Sequence, residues 1–167
     1  MKNTLLFDFV ADKKRNTITV KKEFDADRQL VWDCHTKSEL LDKWFAPKPF
    51  TTKTKSMDFR EGGHWLYAMV DPAGPEYWGR MEYKSIKPIE HYDGLDAFCD
   101  DKGEVNPELP RAHWDVTFED LGERSLVKTV VTYNSLADLE TVIQMGMREG
   151  LMSTLERLDD LLIAYKK

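Results

Sequence analysis

From Ile143 onward, Met147, Gly150, Leu151, Thr154, Leu155, Leu158, Leu161 and Leu162 recur at steps of three and four residues. Glu149, Glu156, Asp159 and Asp160 fall off that stripe. The spacing predicts one amphipathic helix over Leu136 to Tyr165, roughly 45 Å long, with Ser135 as its cap. Such a helix is not stable alone in water and needs a broad apolar surface to lie on.

Upstream the period changes to two, so a curved antiparallel sheet is the surface expected. Residues 4 to 10 and 17 to 24 are rich in β-branched and aromatic residues around the polar turn Asp12 to Asn16, which reads as a hairpin. Asp25 is placed to cap a short helix through about His35. Thr36 and Glu39 stand in capping-box spacing before Leu40, Leu41, Trp44 and Phe45, and Pro47 and Pro49 stop that second helix. Strands follow over Thr51 to Arg60, His64 to Val70, Tyr77 to Lys84, Tyr92 to Cys99, Ala112 to Glu119 and Ser125 to Tyr133. Trp65, Tyr67 and Met69 share one face, as do Met81 and Tyr83, and as do Trp114, Val116 and Phe118; the facing of the last strand is open. Strands in hairpin series, with helices after the first shared strand and at the end, give an α+β fold with its helices on one face. No repeat or linker divides the 167 residues, so one domain is expected over 1–167, residues 1–16 adding a strand.

Composition narrows the function. Apolar residues make up 41% and charged residues 32%, ordinary for a soluble chain. The net charge of −6 argues against general nucleic-acid binding, which needs a basic face. No apolar run reaches membrane-spanning length, so no membrane insertion is expected and the cytoplasm is the default location. Cys34 and Cys99 are too few for a disulfide framework. His35, His64, His91 and His113 lack metal-ligand spacing, and no nucleophile elbow, Walker loop or dinucleotide fingerprint occurs. Neither metal nor cofactor is expected.

Several local motifs in order carry a family likeness: Phe24 to Trp32, Leu40 to Pro47, Phe59 to Trp65, Trp78-Gly79-Arg80, and Met145 to Gly150. Together they resemble the activator of heat-shock-protein-90 ATPase homologue-like family, within the START-like or SRPBCC superfamily. The resemblance runs from about residue 17 to the C-terminus and implies the helix-grip fold, in which a curved sheet wraps the long C-terminal helix around an elongated cavity. It implies a small apolar or amphipathic ligand there. It also implies a second reading, a chaperone-associated or stress-linked interaction module. A cyclase-like or hydrolytic enzyme using the same pocket is a third. Leu151 stands where many relatives carry Trp, which reshapes the pocket.

The aromatic inventory, five Trp, six Tyr and eight Phe, supplies rigid rings for a cavity wall. The expected lining is Trp32, Trp44, Trp65, Tyr67, Met81, Tyr83, Asp96, Phe98, Trp114, Met147 and Leu151. The same rings can instead pack on one another as solid core. Asp96 shares strand parity with Phe98, so an inward Phe98 brings a carboxyl into apolar surroundings, where it must be paired, hydrogen-bonded or protonated. Met145 and Met152, off the main stripe, offer a contact patch for a protein partner or pack beneath the loop from Asp100 to Pro110.

Overall fold

The computed structural model describes residues 5–165. Twelve elements follow in order: β1 Phe7–Asp12, β2 Thr17–Phe24, α1 Arg28–Thr36, α2 Ser38–Trp44, β3 Thr51–Asp58, β4 His64–Val70, β5 Glu76–Lys87, β6 His91–Cys99, β7 Ala112–Asp120, β8 Ser125–Tyr133, α3 Leu136–Gln144 and α4 Met147–Tyr165. The strands form one antiparallel sheet in the order β1-β2-β8-β7-β6-β5-β4-β3. Register shifts in β3 and β5 bend it. Its concave face takes α4, which buries Thr154, Leu158 and Leu162 against it. This is the helix-grip architecture.

Alternation sets the concave side. In β2, Ile18, Val20, Lys22 and Phe24 are buried while their neighbours are half-buried. Val127 and Val131 point inward from β8, which settles the facing of that strand. One core cluster gathers rings from α1, α2 and the sheet around Trp32, Trp44, Trp65, Tyr83, Tyr92 and Phe118, with Leu158 and Leu162 below. A second joins Ile18, Val20, Ala112, Val131 and Tyr133 to Leu139 and Val142 of α3. Tyr67 and Met81 pack against the first cluster, Trp114 and Leu151 against the second.

Five expected local features are corrected. The C-terminal stripe is two helices: α3 ends at Gln144, Gly146 takes φ +89°, and α4 starts at Met147. Steps of three and four continue across such a break, so the apolar period alone does not reveal it. The cap of α1 is Asp27, whose side chain accepts from Leu30 N at 2.8 Å, rather than Asp25. Thr36 does not open α2; it is the last residue of α1, and its hydroxyl donates to Trp32 O at 2.9 Å. Ser135 caps α3, accepting from Asp138 N at 3.1 Å. The strand expected from residue 4 occupies 7 to 12, residue 4 lying outside the described residues. Met145 is 56% exposed and Met152 lines an outer groove beside α4, so neither packs beneath the 100–110 loop.

Candidate functional site: an aromatic cavity

Between the concave sheet and α4 lies a cavity of about 110 Å³. Eight of the expected lining residues meet there: Trp44, Trp65, Tyr67, Met81, Tyr83, Asp96, Trp114 and Leu151. None of the lining residues is solvent-exposed.

Three expected residues lie elsewhere. Trp32 sits in solid core, edge-on to Phe59, Tyr92 and Phe118 at 5.7, 6.2 and 5.0 Å. Phe98 has the inward parity of Asp96 and pairs with Gly79, but it lies towards the end of β6 and is 38% exposed. Met147 packs against the second cluster, with Tyr133 Oη 3.6 Å from its sulfur. The wall also includes residues the sequence did not single out, chiefly Lys22, His35, Leu41, Phe45, Tyr92 and Leu155. Lys22 carried a readable signal: it occupies the inward parity of Ile18, Val20 and Phe24.

The wall presents ring faces, because its indole N–H groups are already engaged. Trp44 Nε1 donates to Cys34 O at 2.9 Å, Trp65 Nε1 to Thr54 Oγ1 at 3.0 Å and Trp114 Nε1 to Asp96 Oδ2 at 2.6 Å. Trp65 and Tyr67 stack with centroids 4.0 Å apart, and Phe45 stands edge-on to both. Burial raises the Tyr67, Tyr83 and Tyr92 hydroxyls well above the ordinary phenol range, so they remain neutral.

Two titratable groups in the wall are shifted in opposite senses. Burial pushes Asp96 up to about 6, against the opposing hydrogen bonds from Ala112 N at 2.7 Å and Trp114 and the nearby Arg111 charge. Burial pushes His35 down to about 4; its Nδ1–H donates to Val31 O at 2.7 Å, and Trp44 and Phe118 stand edge-on to the ring. A neutral imidazole is the form this aromatic box accommodates. The pairs His113–Asp93, at 2.7 Å, and His91–Asp115 lie on the opposite parity, across β6 and β7 from the cavity. Among the described residues no group of His, Cys, Asp and Glu is arranged to hold a metal ion, and no helix is long and apolar enough to cross a membrane.

A curved antiparallel sheet gripping a C-terminal helix over an apolar cavity defines the START-like, or SRPBCC, class. Within it, the family model "Activator of Hsp90 ATPase homolog 1-like protein" matches residues 25–163, and the chain belongs to that family. Among solved structures, a protein from Arthrobacter aurescens is 27% identical over 94% of this chain and 91% of its own, with a TM-score of 0.88. A protein from Mycobacterium smegmatis is 28% identical over 95% and 97%, with a TM-score of 0.86. A protein from Staphylococcus epidermidis is 28% identical over 93% and 94%, with a TM-score of 0.82. No curated protein matches the chain.

Proposed function

We propose that this protein binds a small apolar or amphipathic molecule in the cavity between sheet and helix, without chemical conversion of it. One observation carries the reading: an apolar space between sheet and helix, walled in part by rings whose indole N–H groups are already bonded within the protein and by aliphatic side chains of β2, β8 and α4. A solidly packed core would leave no such volume between sheet and helix. A cavity of ~150 Å³ accepts benzene, so about 110 Å³ limits the ligand to at most a single ring or a short branched chain. Ring faces supply burial energy, and Asp96 with the Tyr67 hydroxyl supplies orientation. The predicted lining is therefore carried forward as the ligand-binding set, without Trp32, Phe98 and Met147 and with Lys22, Phe45, Tyr92 and Leu155 added.

The family match favours one second reading, a chaperone-associated interaction module, in which the cavity is incidental. The cytoplasm remains our proposed location, on the ground that both cysteines are free thiols. Native mass spectrometry of the purified protein, followed by denaturing extraction, tests the first reading. A reproducible co-purified apolar compound supports it. A clean apo mass, together with no binding across a panel of single-ring aromatics, moves the interaction module to first place.

A further inference from the structure

Lys22 stands between two spaces. On one side is the aromatic cavity; on the other is a groove of about 560 Å³ between the β1–β2 edge and α4, lined by Leu5, Phe7, Met152, Glu156 and Ile163 among others. Lys22 and Leu155 are the two residues that line both. We propose that the outer groove is the vestibule of the cavity, and that the Lys22 side chain, latched to Asp159 beside Leu155, is the door through which a small apolar molecule enters. The inference deepens the cavity-binding reading and rests on it.

The geometry of Lys22 fits a door better than a strut. Its stem rises from the inward side of β2, between Val20 and Phe24, and the side chain is 7% exposed. The ammonium donates to Asp159 Oδ1 at 3.0 Å and Glu23 O at 2.6 Å, and lies 4.7 Å from the Phe24 ring. Burying an ion pair here adds little net stability over an apolar side chain of similar size. A flexible four-carbon stem, however, fills the partition in one rotamer and clears it in another, its charge carried outward into the wet groove.

The two flanks of α4 differ in how they are held. On the α2–β3 side, Arg157 Nη1 donates to Ala46 O and Phe50 O, both at 2.7 Å, and Ser153 Oγ accepts from Lys48 N at 3.0 Å. Three bonds to backbone atoms fix that flank. On the β2 side Lys22 Nζ reaches Asp159 Oδ1, side chain to side chain. The strands of the sheet are each hydrogen-bonded to their neighbours from β1 to β3.

Access to the cavity is measurable without a ligand. Thr129 lines the cavity, and Thr129→Cys in a Cys99→Ser background places a thiol there. Cys34, fully buried and outside both walls, is an internal clock for global opening. The rate at which methyl methanethiosulfonate modifies each thiol is read by intact mass. Lys22→Ala is expected to speed modification of the introduced thiol at least about tenfold while Cys34 stays slow, the factor that ~1.4 kcal/mol of easier local opening gives. Lys22→Met, which keeps the stem and loses the latch, falls between. The proposal is overturned by an unchanged rate in Lys22→Ala, by acceleration in Leu151→Ala in its place, or by Cys34 speeding up in parallel. A door that opens in Lys22→Ala while fluorobenzene binds neither protein contradicts the binding reading alone.

Discussion

The indole Nε1 of Trp114 on β7 donates to Asp96 Oδ2 on β6 at 2.6 Å, joining the polar end of one cavity-lining ring to the carboxyl in the same wall. The bond stabilises the carboxylate against the burial that raises its pKa to about 6. Trp114→Phe keeps the ring and deletes the donor. The Asp96 titration midpoint, followed by carboxyl carbon chemical shift, is expected to move up by about one unit, the equivalent of a charge-assisted hydrogen bond worth ~1.5 kcal/mol. An unchanged midpoint removes Trp114 from any role in tuning the site.

Asp96 also links stability to pH. Its folded pKa lies above the ordinary value of 3.8, so the native state holds the proton more tightly than the unfolded chain. This contribution is fully present below about 3.8 and is lost as pH rises through about 6. Measured by urea unfolding, wild type should therefore gain stability relative to Asp96→Asn on going from pH 7 to pH 4, by up to ~3 kcal/mol.

His35 acts in the opposite sense. Its folded pKa of about 4 is below the ordinary 6.5, so its contribution is present above pH 6.5 and is lost as pH falls towards 4. His35→Phe, which retains an aromatic ring in the box of Trp44 and Phe118, should weaken the acid sensitivity of the thermal midpoint across that window. The variant and wild type should lie closest at neutral pH and separate in acid, where only wild type loses stability as His35 takes up a proton.

The sheet, and the face each strand presents, were readable because alternation is strict where one side is buried: Trp65 and Tyr67, Met81 and Tyr83, and Trp114 and Val116 all line the cavity wall. Parity, however, fixes the side of the sheet and not the distance along it, which is why Phe98 shares the facing of Asp96 yet is exposed. Trp32 belongs to a helix that covers the rings of Phe59, Tyr92 and Phe118, a long-range arrangement no local pattern encodes. Lys22 was missed because a charged residue on a strand reads as solvent-facing, and its compensation by Asp159 lies 137 residues away. The helix break at Gly146 was hidden by an apolar stripe that continues on both sides of it.

That break yields a paired prediction. Gly146 adopts φ +89°, so Gly146→Ala forces a side chain into the left-handed region and should cost ~1 kcal/mol. Gly150 lies within α4, and an added Cβ there meets nothing within 4 Å. Gly150→Ala should raise stability by ~0.5–1 kcal/mol through helix propensity. Thermal midpoints moving in opposite directions check both.

Gly79 shapes the wall from behind. A Cβ at this position would stand 2.6 Å from Tyr67 Oη, so Gly79→Ala must push the Tyr67 ring off its stack with Trp65. The expected result is a loss of ~1–3 kcal/mol in denaturant unfolding together with an altered near-ultraviolet circular dichroism spectrum.

The most direct measurement of the central claim is a titration of fluorobenzene, a neutral single ring, followed in the methyl carbon–proton NMR spectrum. Binding in the cavity predicts saturable shifts at Val20, Met81, Val127 and Leu155, which line it, while the exposed Val10 and Leu121 stay fixed. Shifts confined to surface methyls, or no saturable shift up to the solubility limit, contradict a ligand-binding cavity.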